Sequence, residues 1–175
     1  MPAQWDPITD RYFRSARSIA EGLQHTWIGT EHIGLAMLAA PGSLLVGKLR
    51  ALGRHPEEVE KRIKSALDGT DGLAPLAEGG IALSPRMRHM VAMAESQAAS
   101  DGCLAIEERH LLQALIEGGP GDFIRALLAL GIEPGSLWRA RQQALQVLTE
   151  TAADGPQASP PRRDTLTPST VPVRR

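Results

Sequence analysis

The chain has 175 residues, of which 42% are hydrophobic, 22% are charged and only 3% are aromatic. Its net charge of −1 provides no general attraction for nucleic acid or for an anionic membrane, and its single cysteine, Cys103, excludes an internal disulfide. Alanine and leucine dominate the apolar positions, which favours packed helices over a sheet. We therefore expect a cytoplasmic helical protein that binds neither nucleic acid nor membrane.

Four helices are predicted in the first part of the chain. The first covers residues 6–24, where apolar side chains recur at steps of three and four. The second begins beside Thr30, the predicted N-cap, with Glu31 in its first turn. The third ends at Gly53, a residue suited to a left-handed conformation, and the fourth begins at Pro56. The predicted buried residues of these helices are Ile8, Tyr12, Ala16, Ile19, Leu23, Ile33, Ala36, Met37, Leu45, Leu49, Leu52, Val59, Ile63 and Leu67.

The same pattern occurs a second time along the chain. When the sequence is shifted by 78 positions, residues 5–67 align with residues 83–145 without a gap, and 14 positions are identical. The glycine and proline that mark the turn between the third and fourth helices recur as Gly131 and Pro134. The sequence therefore predicts an all-α fold of eight helices, arranged as two pseudo-symmetric four-helix repeats.

The composition changes at two places outside the repeats. Residues 68–82 are rich in glycine and are predicted to link repeat one (5–67) to repeat two (83–148). Residues 150–175 lack apolar periodicity and are dense in Pro, Ser and Thr, which predicts a disordered tail. Its arginines are suited either to solubility or to contact with an acidic partner. The folded domain is accordingly expected within residues 1–149.

Three segments resemble the N-terminal domain of ClpC-type unfoldases. They are LQHTWIGTEHIGLAMLAAPGSLLVGKLRALG, which contains the tetrapeptide Gly-Thr-Glu-His at 29–32, then SPRMRHMVAMAESQA and LLALGIEPGSLWRARQQAL. The resemblance covers residues 5–148. In that family the domain precedes two ATPase modules and receives adaptors, damaged proteins or tagged substrates. This chain contains no G-x-x-x-x-G-K-[ST] phosphate-binding loop, so the resemblance implies a free-standing binding domain without an ATPase.

The resemblance also implies a phosphoarginine site in repeat one. In the family, the glutamate of the tetrapeptide binds phosphorylated arginine, and Glu31 with Thr30 matches this pattern here. A carboxylate can accept guanidinium N–H groups while a helix N-terminus donates to the phosphate. Repeat two has Arg109 at the aligned position, which would repel a guanidinium and attract phosphate or carboxylate instead. Two equal sites are therefore not expected, and a purely structural Glu31 is the alternative.

Apolar residues at the helix starts form a second set of candidates. Trp5 and Leu83 align with each other, and in the family an aromatic pair at these positions lies on a surface used by partners and by cyclic-peptide antibiotics. Trp5 is thus a candidate hot spot, with leucine replacing the second aromatic. Met87 and Met93 are predicted to be exposed for adaptable client binding, whereas Met90 is suited equally to the core.

The histidines and the cysteine recur at equivalent places, His25 with Cys103 and His32 with His110. A zinc site needs three or four converging ligands, so we expect the histidines to hold the turns by hydrogen bonds, with no metal and no cofactor. Cys103 is expected to be a small buried side chain.

The predicted function is non-enzymatic, because no nucleophile, base and orienting group occur together. The chain is expected to bind substrates or adaptors of a Clp unfoldase, or to compete with the N-domain of that unfoldase as a decoy, as a monomer. The alternative is a helical-repeat regulator with one partner unrelated to proteolysis.

Overall fold

The computed structural model describes residues 4–67 and 81–138, which are mostly helical. The helices are α1 (Pro7–Gly22), α2 (Thr30–Leu38), α3 (Leu44–Ala51), α4 (Pro56–Leu67), α5 (Pro85–Ser100), α6 (Glu108–Glu117) and α7 (Asp122–Ala129), and residues 134–138 begin an eighth, α8. The predicted helical fold is confirmed. The predicted tail and most of the predicted linker, residues 68–80, lie outside the described residues.

Four two-residue strands, which the sequence analysis did not predict, join the two repeats. They are β1 (Gln4–Trp5), β2 (Trp27–Ile28), β3 (Ala82–Leu83) and β4 (Ala105–Ile106). β1 pairs in parallel with β4, and β2 pairs in parallel with β3. Each pair takes one strand from each repeat, and the two registers are related by the same shift of 78 residues. Residue 82, predicted to end the linker, is therefore part of the paired structure of repeat two.

The helix ends follow the internal repeat closely. Asp6 caps α1 by accepting the backbone N–H three residues later at 2.6 Å, and Ser84 caps α5 in the same way at 3.1 Å. A proline follows each cap. Gly53 and Gly131, with φ of 67° and 68°, adopt the left-handed conformation expected after α3 and α7. The gapless alignment of the repeats therefore describes equivalent three-dimensional positions.

One hydrophobic core extends through both repeats. Its centre is α2, in which eight of the nine residues are buried. α7 of repeat two packs against α2 and α4 of repeat one. The ring of Phe123 on α7 lies so close to Gly34 on α2 that a Cβ at Gly34 would be 2.9 Å from Cε2 of the ring. Glycine is thus the residue that allows this contact between the repeats.

The predicted core positions of α2 and α4 are all buried. On α1 the prediction was wrong for Ile8, which is 45% exposed, because the buried face contains Thr9 and Ala20 instead. The partly buried members of the predicted set are Ile19, Leu23 and Leu52. Within the described parts of the chain, no helix is long and apolar enough to span a membrane.

Candidate functional site

A cleft of about 730 Å³ lies between the repeats, where the first turns of α2, α5 and α7 come together. Its lining residues are Trp27, Glu31, Ser84, Pro85, Arg86, His89, Gly118, Pro120, Gly121, Asp122 and Arg125. Glu31 and Trp27 come from repeat one and the rest come from repeat two. The cleft therefore exists only when the repeats are packed together.

Glu31 contributes a largely buried carboxyl group to this cleft. Its side chain is 13% exposed and folds back over Gly29, which occupies the N-cap position that was predicted for Thr30. Its Oε2 is 3.5 Å from Oγ1 of Thr30, and its Oε1 is 3.3 Å from Nδ1 of His32. That nitrogen already accepts the backbone N–H of Gly29 at 2.9 Å, so it has no proton to offer the carboxylate.

The environment of Glu31 disfavours its charged form. Desolvation raises the pKa of Glu31 above its ordinary value; a hydrogen bond from its own backbone partly offsets this effect, and the negative charge of Asp122 reinforces it. Among the described residues, no lysine or arginine forms an ion pair with Glu31. The cleft thus contains a carboxylate that a ligand cation can stabilise.

Positive charge approaches the same cleft from repeat two. Arg125 forms an ion pair with Asp122, with 3.1 Å between Nη1 and Oδ1. Arg86 is exposed in the first turn of α5 and forms no hydrogen bond or ion pair with another described residue. A Cβ at Gly121 would lie 3.4 Å from Cδ of Arg86, so the absence of a side chain there leaves room for the arginine. Arg86 is therefore available to an anionic ligand.

The two equivalent histidines hold the turns before α2 and α6. Nδ1 of His32 accepts the backbone N–H of Gly29, and Nδ1 of His110 accepts that of Glu107 at 3.1 Å. Nε2 of His32 lies 2.9 Å from Nδ1 of His25. Desolvation, helped by the neighbouring His25, lowers the pKa of His32 to about 4. The expected hydrogen-bonding role of the histidines is confirmed, and the described residues contain no cluster suited to a metal ion.

Arg109 is bound to side chains of its own repeat. Its Nε lies 2.9 Å from Oε2 of Glu107, its Nη1 lies 3.3 Å from Oδ2 of Asp101, and its Nη2 lies 3.1 Å from Sγ of Cys103. The carboxylates that it attracts thus belong to the same chain. Cys103 is partly exposed beside this guanidinium, so the prediction of a simply buried cysteine was wrong.

The position in repeat two that corresponds to the cleft is closed by hydrogen bonds. Oε1 of Glu108, which aligns with Thr30, accepts the backbone N–H of Leu44 at 2.7 Å and the hydroxyl of Tyr12 at 2.8 Å. These bonds join α6 of repeat two to α1 and α3 of repeat one. The two equivalent regions have therefore diverged, one into an open charged cleft and the other into an internal contact.

Trp5 and Leu83 lie in different strand pairs. Trp5 packs on Phe13 with 4.2 Å between ring centroids and lines a smaller groove of about 530 Å³. Leu83 is partly buried in β3, opposite Ile28. Trp5 is thus positioned to contribute an aromatic surface with Phe13 rather than with its sequence equivalent.

The expected exposed methionine face is not present on α5. Met87 and Met90 are both fully buried, and Met93 is partly buried. Met87 belongs to the buried stripe that continues through Met90, Ala94 and Ala98, because these residues follow each other at steps of three and four. The prediction that Met87 is exposed was therefore wrong.

Among the lining residues that the sequence did not predict as site residues are the basic and aromatic side chains of the cleft: Trp27, Arg86, His89 and Arg125. They belong to no shared motif and lie on β2, α5 and α7. Only the packing of repeat two onto repeat one brings Arg86, His89 and Arg125 to Glu31, whereas Trp27 lies four residues before Glu31 in repeat one. The basic residues at the start of α5 were the one local signal, because the sequence reads Pro-Arg-Met-Arg-His after the cap.

Comparison with known proteins relates this geometry to a family. The family model described as the Clp repeat (R) N-terminal domain matches residues 8–102 and again residues 82–170. The chain is 31% identical over 157 residues to the negative regulator of genetic competence ClpC/MecB of Bacillus subtilis, covering 86% of this chain and 18% of that protein. It is 30% identical over 126 residues to the chaperone protein ClpB of Oceanobacillus iheyensis, covering 72% and 15% respectively. The chain thus spans less than a fifth of these relatives.

Solved structures agree in fold with this chain. The Hsp104 N-terminal domain from Candida albicans matches with a TM-score of 0.66 at 12% identity, covering 78% of this chain and 88% of that one. The N-terminal domain of the chaperone ClpD from Arabidopsis thaliana matches with a TM-score of 0.63 at 18% identity, covering 82% and 95%. The duplicated helical fold and the two matches to the family model together establish that the chain belongs to the Clp repeat N-terminal domain family.

Proposed function

We propose that this protein binds arginine-containing protein segments in the cleft around Glu31, with phosphoarginine as the preferred ligand. The observation that carries the proposal is the combination of a buried carboxylate without a cationic partner and the available Arg86 in one cleft. The carboxylate is suited to accept guanidinium N–H groups, and the arginine is suited to pair with a phosphoryl group. A ligand that carries both groups satisfies both sides of the cleft.

The proposal predicts that each chain binds one ligand. In repeat two, Arg109 is paired with carboxylates of its own repeat, and Glu108 is bonded to Leu44 and Tyr12. A second guanidinium would have to displace these internal bonds and would meet the positive charge of Arg109. Binding is therefore expected to saturate at a molar ratio of one.

The biological role follows from membership of the Clp N-domain family, which is associated with substrate and adaptor binding by Clp unfoldases. We propose that the domain either delivers such clients or competes for them as a monomeric decoy, in the cytoplasm. Addition of the domain to a degradation assay with a Clp unfoldase and a phosphoarginine-tagged substrate distinguishes these roles. Delivery would raise the degradation rate. Competition would lower it in proportion to the fraction of the tagged substrate that the domain binds.

The binding proposal is tested by isothermal titration with a phosphoarginine-containing peptide. Replacing Glu31 with glutamine removes the charge while keeping the size, and we expect affinity to fall about 10- to 100-fold, as for the loss of hydrogen bonds to a charged group. Replacing Arg86 with alanine should also weaken binding. The matched control is Glu57→Gln, which removes an exposed carboxylate on α4. Equal affinity for the wild type and Glu31→Gln would exclude this cleft as the site.

The Trp5 surface is a second candidate contact for peptides. Trp5 and Phe13 form an aromatic pair beside a groove that also contains Asp10 and Arg14. Affinity capture from lysate with Trp5→Ala tests it: we expect a subset of bound proteins to be lost while phosphoarginine peptide affinity stays at the wild-type value. Capture identical to that of the wild type would remove this surface from the proposal.

A further inference from the structure

Trp27 places an exposed aromatic side chain at the rim of the cleft. It is 53% exposed and lines the cleft together with Glu31 and Arg86. Within residues 4–67 and 81–138, no aromatic ring or cationic group lies over its indole. A large π face is therefore uncovered beside a buried carboxylate.

The fold itself does not require an aromatic residue at this position. The equivalent residue of β4 is Ala105, which pairs with Gln4 in the same register as Trp27 pairs with Ala82. An alanine thus supports the same parallel strand pair in the other half of the molecule. Trp27 is also absent from the residues packed against the core. A role in ligand binding therefore explains the side chain of Trp27 better than a role in packing.

We propose that Trp27 determines ligand specificity by stacking on a guanidinium group while Glu31 accepts the N–H groups of the same ligand. This inference rests on the proposed function and adds the basis of its selectivity. A guanidinium is planar, delocalised and weakly hydrated, so it stacks on an aromatic face more readily than the compact, strongly hydrated ammonium of lysine. The anion-binding side of the cleft, with Arg86, does not distinguish one phosphorylated residue from another. Trp27 and Glu31 together provide that distinction.

The selectivity is measured with two peptides of one sequence, one containing phosphoarginine and the other phosphoserine. We expect Trp27→Ala to weaken phosphoarginine binding by between about 2-fold and about 30-fold, the range of cation–π contacts. Binding of the phosphoserine peptide should not change, and Trp27→Phe should restore part of the lost affinity. The matched control is Leu128→Ala, since Leu128 is exposed to a similar extent, 55%, on α7.

Direct contact is tested by fluorescence and by a double-mutant cycle. The phosphoarginine peptide should change the tryptophan emission of the wild type, and this change should disappear in Trp27→Phe. The effects of Trp27→Ala and Glu31→Gln should be less than additive, because both act on one guanidinium. Urea unfolding checks that each variant folds. We expect Trp27→Ala to fold, because alanine occupies the equivalent position, 105, on β4.

Different results would overturn the role of Trp27 and the binding function of the Glu31 cleft. Wild-type affinity of Trp27→Ala for the phosphoarginine peptide, with an unchanged emission response, overturns the role of Trp27 and leaves the Glu31 site intact. Equal weakening of both peptides also overturns it, because the effect would then concern the anion or the fold. If the wild type binds neither peptide, the proposed function fails and the role of Trp27 fails with it.

Discussion

The buried histidine pair predicts a specific loss of stability at acidic pH. His32 is fully buried, and both of its ring nitrogens are engaged, one by the backbone N–H of Gly29 and the other by His25. Protonation of Nδ1 would place two donors against each other in a site without water access. The replacement His32→Asn removes the titrating group and keeps an oxygen acceptor near the N–H of Gly29.

The magnitude follows from the pKa of His32, which falls from 6.5 to about 4 on folding. Between these values the unfolded chain binds a proton that the folded chain does not, so acid favours unfolding. The contribution of neutral His32 to the free energy of unfolding is fully present above pH 6.5, decreases as the pH falls towards 4, and is lost below pH 4. At about 1.4 kcal/mol for each tenfold difference in proton affinity, the total is about 3 kcal/mol.

The assay is urea unfolding of the wild type and His32→Asn at several pH values between 3.5 and 7.5, values chosen to bracket the titration. The difference in unfolding free energy between the two proteins should change by about 3 kcal/mol across this range, with the wild type losing its advantage at low pH. The titrations of Asp and Glu residues that do not contact His32 cancel in this difference. His55→Asn, the same replacement at an exposed histidine, is the control. A constant difference for His32→Asn would refute the reasoning.

Three further predictions concern the contacts between the repeats. Gly34→Ala should lower the free energy of unfolding by about 1–3 kcal/mol despite the higher helix propensity of alanine, because its Cβ would press on the ring of Phe123; thermal unfolding measures this. Glu31→Gln should raise the melting temperature at pH 7, where an ionised buried carboxylate disfavours folding, and the gain should shrink as the pH falls and Glu31 takes up a proton. Tyr12→Phe should cost about 1–2 kcal/mol by removing the hydrogen bond to Glu108, measured by urea unfolding; an unchanged value would mean that this bond adds nothing to the contact between the repeats.

The sequence predicted the elements that depend on local patterns. The caps at Ser84 and Gly53 and the core face of α4 depend on residues close together in the chain, so periodicity and turn chemistry were sufficient. The duplication was visible because these local patterns recur 78 residues later. The exposure of Met87 was predicted wrongly, because an apolar stripe on a helix does not show which of two apolar faces the neighbouring helices cover. The capping interaction before α2 was misassigned to Thr30, because Gly29 has no side chain to signal the role.

The candidate site was predicted only in part. Glu31 was found from a tetrapeptide, but Arg86 and Arg125 lie 55 and 94 residues further along the chain, and the packing of the two repeats sets their positions. Trp27 lies four residues before Glu31, outside the tetrapeptide. Two-residue strands leave no recognisable pattern in sequence, since their stability comes from packing between the repeats. The fate of Arg109 was likewise set by Asp101 and Cys103, which the fold brings to the same turn.

The strand pairing between the repeats gives the molecule the internal symmetry of a dimer. β1 and β2 of the first repeat find their partners only in the second, and the two pairings are related by a single shift along the chain. One repeat produced alone would leave both strands and much of α2 uncovered, and a second identical copy could satisfy them through the same pairings. The two halves are therefore arranged like the subunits of a symmetric dimer, joined here in one polypeptide. Joined in one chain, the two halves need not be identical, and here one has an open cleft where the other has internal hydrogen bonds.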